Sequence, residues 1–460
     1  MFSKFVIFAI LILIPAWIVY KFNNTKPPEL PEVDLEEWWG PGERKPDDTS
    51  VRSFRIEWSK EMISDLRRRL ANHRPLTPPL EGIAHQYGFN TATLQPILDF
   101  WRDGYDFEAR LEYLNKFPQY KTKIQGLDIH FLWVKPKVPS SVPPVPLLLL
   151  HGWPGSVREF YEAVPPLTSS RVGYDFSFEV VVPSLPGFGY SEAAAHPGLG
   201  PVDMAVVMRN LMRRLGHRQY VVQGGDWGSV VTSAMATLFP DEILGYHTNM
   251  PTNSDSTYYM KLILGSLLPW YLEPVFADRV YPLTQNFADR MEETGYFHLQ
   301  ATKPDTIGVA ISDSPAGLAA YLLEKFSSAT NMANRNKQDG GLSQYRMEDL
   351  VDILMMYWHP NCATTSFRLY AESFTKRSAA YRINEIPTDV PTWALHTANE
   401  PLFSPASLLT HKYRNLINIS LIDVGGHFAA FEVEKEFTED VFRAVKEFRL
   451  WHERNENRKG

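Results

Sequence analysis

The sequence predicts an α/β fold with a mostly parallel, doubly wound central sheet. Residues Val145–Leu150 and Phe178–Pro183 are continuous apolar runs, as expected for strands that are covered on both faces. A helix is predicted at 202–215. Further strands are predicted at 219–223, 392–397 and 417–424. Alternation of strands and helices along a chain is typical of a sheet with helices packed on both faces.

A long segment interrupts this alternation at residues 257–379. Its pattern is mostly helical, and it is rich in Tyr, Phe, Trp and Met. We interpret it as a helical lid inserted between strands of the core. The core is then divided into a first part at 141–256 and a second part at 380–460.

The N-terminal part is predicted to contain a membrane anchor at 1–22. The apolar run at 5–20 is close to the roughly 17 residues that can just span a bilayer, and no small-residue cleavage site follows it. Residues 23–50 are rich in Pro, Asp and Glu and are predicted to form a linker. An N-terminal region follows at 51–140, with helices predicted at 62–71 and 91–101.

The composition excludes several classes of partner. A net charge of −7 without a long basic run argues against nucleic acid. We recognise neither a metal-ligand cluster nor a nucleotide-binding loop, so neither a metal nor a cofactor is predicted. The single cysteine, Cys362, excludes an intramolecular disulfide and favours a cytosolic catalytic domain. The sequence makes no prediction of oligomeric state.

The most informative motif is Gly-Gly-Asp-Trp-Gly-Ser at 224–229, which follows the predicted strand at 219–223. A strand, a tight turn flanked by glycines and a helix form a nucleophile elbow, which holds one side chain out at its tip. Here that side chain is the carboxylate of Asp226. A carboxylate nucleophile attacks an electrophilic carbon and forms an ester. The alternative interpretation of Asp226 is an ordinary turn residue.

A histidine and an acid downstream favour the catalytic interpretation. His427 lies in a Gly-Gly-His-Phe loop just after the last predicted strand, where it could remove a proton from water. Either Glu400, a few residues beyond its strand, or Asp423, inside the last predicted strand, could orient the imidazole. Nucleophile, acid and histidine in this chain order are typical of an α/β-hydrolase. Ser191 offers a weaker alternative nucleophile, because a loop separates it from its strand.

Two backbone N–H groups are predicted to form an oxyanion hole. They belong to Trp227, which follows the nucleophile, and to Trp153 in the motif His-Gly-Trp-Pro-Gly-Ser at 151–156. Hydrolysis of an ester on Asp226 would create an oxyanion on its carbonyl, and these groups would stabilise it.

The motifs together resemble those of microsomal epoxide hydrolases, and within them those of the insect juvenile hormone epoxide hydrolases. The resemblance covers nearly the whole chain, including the apolar N-terminus and the region from Ser53 onward. The motifs that carry it lie at 36–40 (Glu-Glu-Trp-Trp-Gly), 151–156, 224–228, 295–306 and 425–432.

The resemblance implies an α/β-hydrolase fold and hydrolysis of apolar epoxides to diols, with only the epoxide and water as small-molecule partners. It implies that Tyr296 and Tyr370 donate hydrogen bonds to the epoxide oxygen, and that Glu400 is the orienting acid. It also implies a single-pass protein of the endoplasmic reticulum membrane, bound to lipid through its anchor. The alternatives are a haloalkane dehalogenase-like hydrolase, which shares an Asp elbow, and a catalytically inactive lipid-binding protein on the same fold.

Overall fold

The computed structural model describes residues 26–136, 144–268, 272–273 and 277–459. The predicted membrane anchor at 1–22 lies outside the described residues, and the predicted linker is described only from residue 26. Within the described residues no single helix is long and apolar enough to cross a membrane. One bent pair, Pro304–Asp313 with Pro315–Ser328, meets the requirements of length and composition only when the two helices are taken together.

The described strands form one sheet of nine in the order β1-β2-β3-β5-β4-β6-β7-β8-β9. Strands β1, β2 and β3 and the β3–β5 pair are antiparallel, and the pairs from β5 to β9 are parallel. The bounds are β1 (Arg52–Phe54), β2 (Gln119–Ile124), β3 (Leu127–Val134), β4 (Val145–Leu150), β5 (Phe178–Pro183), β6 (Tyr220–Gly224), β7 (Ile243–Thr248), β8 (Thr392–His396) and β9 (Leu416–Leu421).

The helices fall into four groups along the chain. Those before the parallel strands are α1 (Lys60–Ala71), α2 (Thr91–Asp99) and α3 (Phe107–Leu114); those among β4 to β7 are α4 (Val164–Leu167), α5 (Pro201–Arg214) and α6 (Asp226–Leu238). The inserted helices are α7 (Ser256–Leu267), α8 (Ala277–Val280), α9 (Leu283–Glu293), α10 (Gly295–Thr302), α11 (Pro304–Asp313), α12 (Pro315–Ser328), α13 (Met347–Trp358), α14 (Ala363–Ser373) and α15 (Lys376–Ala380). The last are α16 (Ala406–Leu409), α17 (Ala429–Glu432) and α18 (Glu434–Lys459).

The parallel strands agree closely with the sequence-based expectation. Strands β4 and β5 have the predicted bounds, and β6, β8 and β9 differ by one to three residues at their ends. The inner positions of β4 and all of β5 are buried, because helices cover both faces of the sheet. Helices α7 to α15 lie between β7 and β8 in the chain and extend one residue beyond each end of the segment predicted to be helical.

The antiparallel part of the sheet was not predicted. Strands β2 and β3 form a hairpin whose turn, Gln125 and Gly126, has φ values of +51° and +85°. Two successive positive φ values match the twist of a tight hairpin, and glycine takes up one of them without strain. The expectation of a partly helical region is right for α1 to α3. It missed the hairpin, in which β3 is apolar and largely buried and β2 carries two lysines.

The sheet topology creates a place for a site. Strand β4 lies between β5 and β6 in the sheet. The chain therefore continues on one side of β4 with β5 and on its other side with β6. In such sheets ligands bind beyond the carboxyl ends of the strands at this switch point. Leu150 at the end of β4 is paired with Gly224 at the end of β6. The loops that carry Trp153 and Asp226 therefore emerge side by side.

Candidate active site

Asp226 lies at a strained turn directly after β6. Its φ is +47°, a left-handed conformation that is unusual for a residue with a side chain. Gly224 and Gly228 allow this turn, because the backbone segments there approach each other too closely for a side chain. A Cβ on Gly224 would lie 2.3 Å from the carbonyl oxygen of Gly228, and one on Gly228 would lie 2.2 Å from that of Leu150. The turn holds the Asp226 carboxylate at the switch point, as in a nucleophile elbow.

His427 lies between two carboxylates. Its Nε2 is 3.3 Å from Oδ2 of Asp226, and its Nδ1 is 3.0 Å from Oε2 of Glu400. Glu400 follows β8 and is buried, and His427 follows β9. The structure thus brings together three residues that are 27 to 201 positions apart in the chain.

The charges around His427 favour its protonated form. Burial disfavours a charged imidazole, but the carboxylates of Glu400 and Asp226 outweigh burial and raise the pKa of His427 well above its ordinary value. The site therefore favours an imidazolium between the carboxylates of Asp226 and Glu400. Loss of the Asp226 charge would remove part of this stabilisation and lower the pKa again.

The loop after β4 binds one carboxylate oxygen of Asp226. The backbone N–H of Trp153 donates to Oδ1 of Asp226 at 2.8 Å. Trp227 is the second residue of α6, in the first helical turn, where backbone N–H groups have no partner within the helix. Oδ1 is therefore held by this loop, whereas Oδ2 faces Nε2 of His427 at 3.3 Å.

The two predicted tyrosines line the same site from the inserted helices. Tyr296 in α10 stacks on Trp153, with ring centroids 5.0 Å apart, and Tyr370 in α14 packs edge-on against Trp227 at 4.8 Å. The two phenol rings are 6.1 Å apart. The hydroxyl of Tyr370 is buried, without a hydrogen-bond partner among the described residues. Burial raises the pKa of both phenols, so both remain hydrogen-bond donors.

Comparison with known proteins identifies this arrangement. Residues 51–160 match the epoxide hydrolase N-terminus family, and residues 145–432 match the α/β-hydrolase fold family. A juvenile hormone epoxide hydrolase of Bombyx mori is 49% identical over 97% of this chain and 98% of the relative. The chain belongs to the epoxide hydrolase family. This confirms the resemblance, the enzyme class and the α/β-hydrolase fold that were inferred from the sequence.

Two further matches support the assignment. Epoxide hydrolase 1 of Sus scrofa is 42% identical over 88% of this chain and 91% of the relative. The crystal structure of the juvenile hormone epoxide hydrolase from the silkworm Bombyx mori has a TM-score of 0.90 and 49% identity, covering 91% of this chain and 100% of that one.

Two carboxylates near His427, the half-buried Glu432 and the buried Glu159, were missed from the sequence. Glu432 accepts backbone hydrogen bonds from Gly426 at 2.8 Å and Phe428 at 2.9 Å, so it braces the loop on both sides of His427. Glu159 belongs to the turn Val157–Phe160 and lines a cavity with Asp226 and His427. Its only signal in the sequence is Ser156 three residues earlier, which predicts a capped turn rather than a site.

The alternative residues are placed elsewhere. Asp423 was expected inside the last strand, but β9 ends at Leu421, and Asp423 is exposed in the following bend. The hydroxyl of Ser191 is buried in a hydrogen bond to the carbonyl of Ser184 at 2.7 Å, and it accepts one from the N–H of His130 at 2.9 Å. Its hydrogen bonds connect β3 to the loop after β5.

Proposed function

We propose that the enzyme converts apolar epoxides to vicinal diols through a covalent alkyl ester of Asp226. The carrying observation is the geometry of Asp226, which has one oxygen bound by the Trp153 N–H and the other facing His427. The hydroxyl of Tyr370, which has no hydrogen-bond partner within the described part of the chain, adds a donor for the epoxide oxygen. A haloalkane dehalogenase would instead need ring or amide N–H donors for a halide at this position.

The first step is alkylation of the nucleophile. Oδ2 of Asp226 attacks an epoxide carbon, and the carbon–oxygen bond of the ring breaks. The phenols of Tyr296 and Tyr370 donate to the departing oxygen, and one of them supplies its proton. Esterification removes the charge of Asp226, so His427 becomes less basic and gives up the proton that restores the phenol.

The second step is hydrolysis of the ester. Neutral His427 removes a proton from water through Nε2, and the water oxygen attacks the carboxyl carbon of Asp226. The N–H groups of Trp153 and Trp227 hold the resulting oxyanion. The acyl bond to the alkyl oxygen breaks, and that oxygen takes the proton from His427. Glu400 orients the imidazole and stabilises its charged form throughout.

For the substrate we propose a terpenoid juvenile hormone epoxide, with xenobiotic epoxides as the second candidate. The support is the name carried by relatives such as the 49% identical silkworm protein, against the more distant pig epoxide hydrolase 1. The experiment is turnover of labelled juvenile hormone and of styrene oxide by the full-length enzyme. We expect a higher kcat/KM for the hormone. Preference for styrene oxide would contradict the hormone as substrate, and absence of diol from both would contradict epoxide hydrolysis.

We propose that the inserted helices act as a lid that supplies both the electrophilic tyrosines and the apolar walls. Phe297, the neighbour of Tyr296, lies 5.1 Å from the ring of Tyr370 and 5.5 Å from that of Phe374. Phe374 is 62% exposed, so an aromatic path leads from the surface to the phenols. Such a path fits an apolar ligand.

Removal of the phenol hydroxyls should slow alkylation. Tyr296→Phe and Tyr370→Phe keep the ring but lose the donor, so each should lower the alkylation rate by roughly 10- to 1,000-fold, as for an oxyanion-hole donor. The double variant should be nearly inert. Rapid-quench formation of alkyl-enzyme is the measurement.

The matched control is Tyr321→Phe, because Tyr321 packs against the same Trp153 while its hydroxyl accepts from Gln300. We expect this variant to alkylate at nearly the wild-type rate. Normal alkylation in the Tyr296 and Tyr370 single and double variants would move the electrophilic role to another group.

We propose that residues 1–22 anchor the enzyme in the endoplasmic reticulum membrane with the catalytic domain in the cytosol. The apolar run at 5–20 and the single cysteine support this placement. Removal of residues 1–22 should release the enzyme from membranes without detergent, and turnover of a water-soluble epoxide should be unchanged, since every proposed catalytic group lies from Trp153 onward. Sedimentation after a carbonate wash measures the release.

Retention of the truncated enzyme on membranes would contradict an exclusive role of the anchor. The second attachment surface would then be the apolar side chains that α7 and α9 expose at Ile263, Leu267, Phe287 and Met291.

A further inference from the structure

A buried carboxylate without a role in the two steps above lies beside the nucleophile. Glu159 lines the cavity that also contains Gly152, Asp226, Asn249 and His427. The Glu159 side chain is buried, with a relative exposure of 9%. A carboxylate is costly to bury unless its hydrogen-bonding capacity is used, so its presence in this cavity calls for a partner.

The backbone of the loop after β4 is shaped around this carboxylate. A Cβ on Gly155 would lie 1.4 Å from Oε1 of Glu159, so only glycine leaves room for it. The N–H of Ser156 donates to the same Oε1 at 3.1 Å in a capping box. The other oxygen, Oε2, accepts no hydrogen bond from the described part of the chain and is left for a group in the cavity.

The turn that carries Glu159 is held rigidly from the opposite side. Its neighbour Arg158 is buried and binds Asp349 at 2.5 Å and Asp352 at 2.9 Å, both in α13. The position of the Glu159 carboxylate is therefore set before substrate binds, as a positioning group requires.

The electrostatic surroundings couple Glu159 to the catalytic pair. Burial and the negative charge of Asp226 raise the pKa of Glu159 to about 8, while the charge of His427 opposes this. A change in the charge of either group during the reaction therefore acts directly on Glu159.

We propose that Glu159 positions the hydrolytic water for the second step. The inference rests on the proposed ester mechanism. The water donates one hydrogen to Nε2 of His427 and the other to Oε2 of Glu159, so that its lone pair faces the carboxyl carbon of Asp226. The new carbon–oxygen bond forms as His427 takes the first proton, and the departing alcohol oxygen receives that proton. The second water proton returns to the Asp226–His427 pair, so Glu159 acts as a positioning residue.

The test is Glu159→Gln in the full-length enzyme. The amide oxygen can still accept from Ser156, but its NH₂ group cannot accept from water. The hydrolysis rate and kcat should fall by about 10- to 100-fold, at the lower end of general acid–base effects, while the alkylation rate stays within twofold. Rapid quench with intact-protein mass measurement should then show alkyl-enzyme accumulating. Glu162→Gln is the matched control, because Glu162 lies three residues on and binds Tyr113 outside the cavity.

The outcomes separate the possible failures. A merely structural role of Glu159 in the turn would disturb the Trp153 loop and slow alkylation, and that result would overturn the proposal, as would unchanged hydrolysis. Glu159→Asp provides a second variant should the glutamine protein not fold, and it should hydrolyse at an intermediate rate because it retains an acceptor. Normal hydrolysis in a folded aspartate or glutamine variant, with alkyl-enzyme present in the wild type, would overturn only the role of Glu159. Absence of alkyl-enzyme in the wild type would overturn the ester mechanism as well.

Discussion

His427→Gln should stop the reaction after alkylation. The imidazole acts on water in the second step, so its loss should lower hydrolysis by about 10⁴-fold or more, a scale typical of catalytic-triad variants. Attack by Asp226 precedes the proton transfer from His427 to the phenol, and the hydrogen bond from Trp153 to Oδ1 leaves Oδ2 for the epoxide. Alkyl-enzyme should therefore accumulate to about one per active site, and intact-protein mass after mixing with epoxide measures it.

The control for this variant is His196→Gln, since His196 is exposed and distant in the chain from every group of the site. Circular dichroism and thermal unfolding establish that both proteins are folded. If a folded His427→Gln protein shows no alkylation burst, His427 is required for ring opening. Its assignment to the proton transfers that follow ring opening is then wrong.

Asp226→Ala should abolish both steps. No described side chain other than Asp226 occupies the tip of the elbow, so alkyl-enzyme should be undetectable and turnover should fall by about 10⁴-fold or more. Alanine keeps a Cβ at the strained φ of +47°, so thermal unfolding is measured to establish that the variant is folded. Mass measurement and diol formation are the two readouts.

Asp423→Ala is the matched control and also addresses the choice of the orienting acid. Asp423 is exposed beyond β9, whereas Glu400 binds His427 directly. The Asp423 variant should turn over normally. Substantial diol formation by Asp226→Ala, with a normal control, would show that water attacks the epoxide without an enzyme nucleophile.

The parallel core and the elbow could be predicted from sequence because their signals are local. Strand β4 is a continuous apolar run, and the glycines at 224 and 228 mark a turn that few other residues could form. Chain order suggested His427, which follows a strand whose carboxyl end reaches the same edge of the sheet. It left Glu400 and Asp423 as alternatives for the orienting acid, and the family resemblance favoured Glu400.

The rest of the site is formed by contacts between residues from separate elements, which a local sequence pattern does not indicate. Tyr296 and Tyr370 lie in separate helices of an aromatic-rich segment, and only the family resemblance singled them out. Glu159 resembles the third residue of an ordinary capped turn in the sequence. Its position near His427 follows from folding of the β4 loop over Gly155, which becomes visible only in three dimensions.

The most direct test of the central claim is the fate of the solvent oxygen in a single turnover. With enzyme in excess over epoxide in ¹⁸O-water, we expect the first diol to carry no solvent oxygen and the label to appear in the carboxylate of Asp226. Mass analysis of the peptide that contains Asp226 measures this, with the His427→Gln protein as an unlabelled control. First-turnover diol that carries ¹⁸O, with none in Asp226, would show direct attack by water and contradict the ester mechanism.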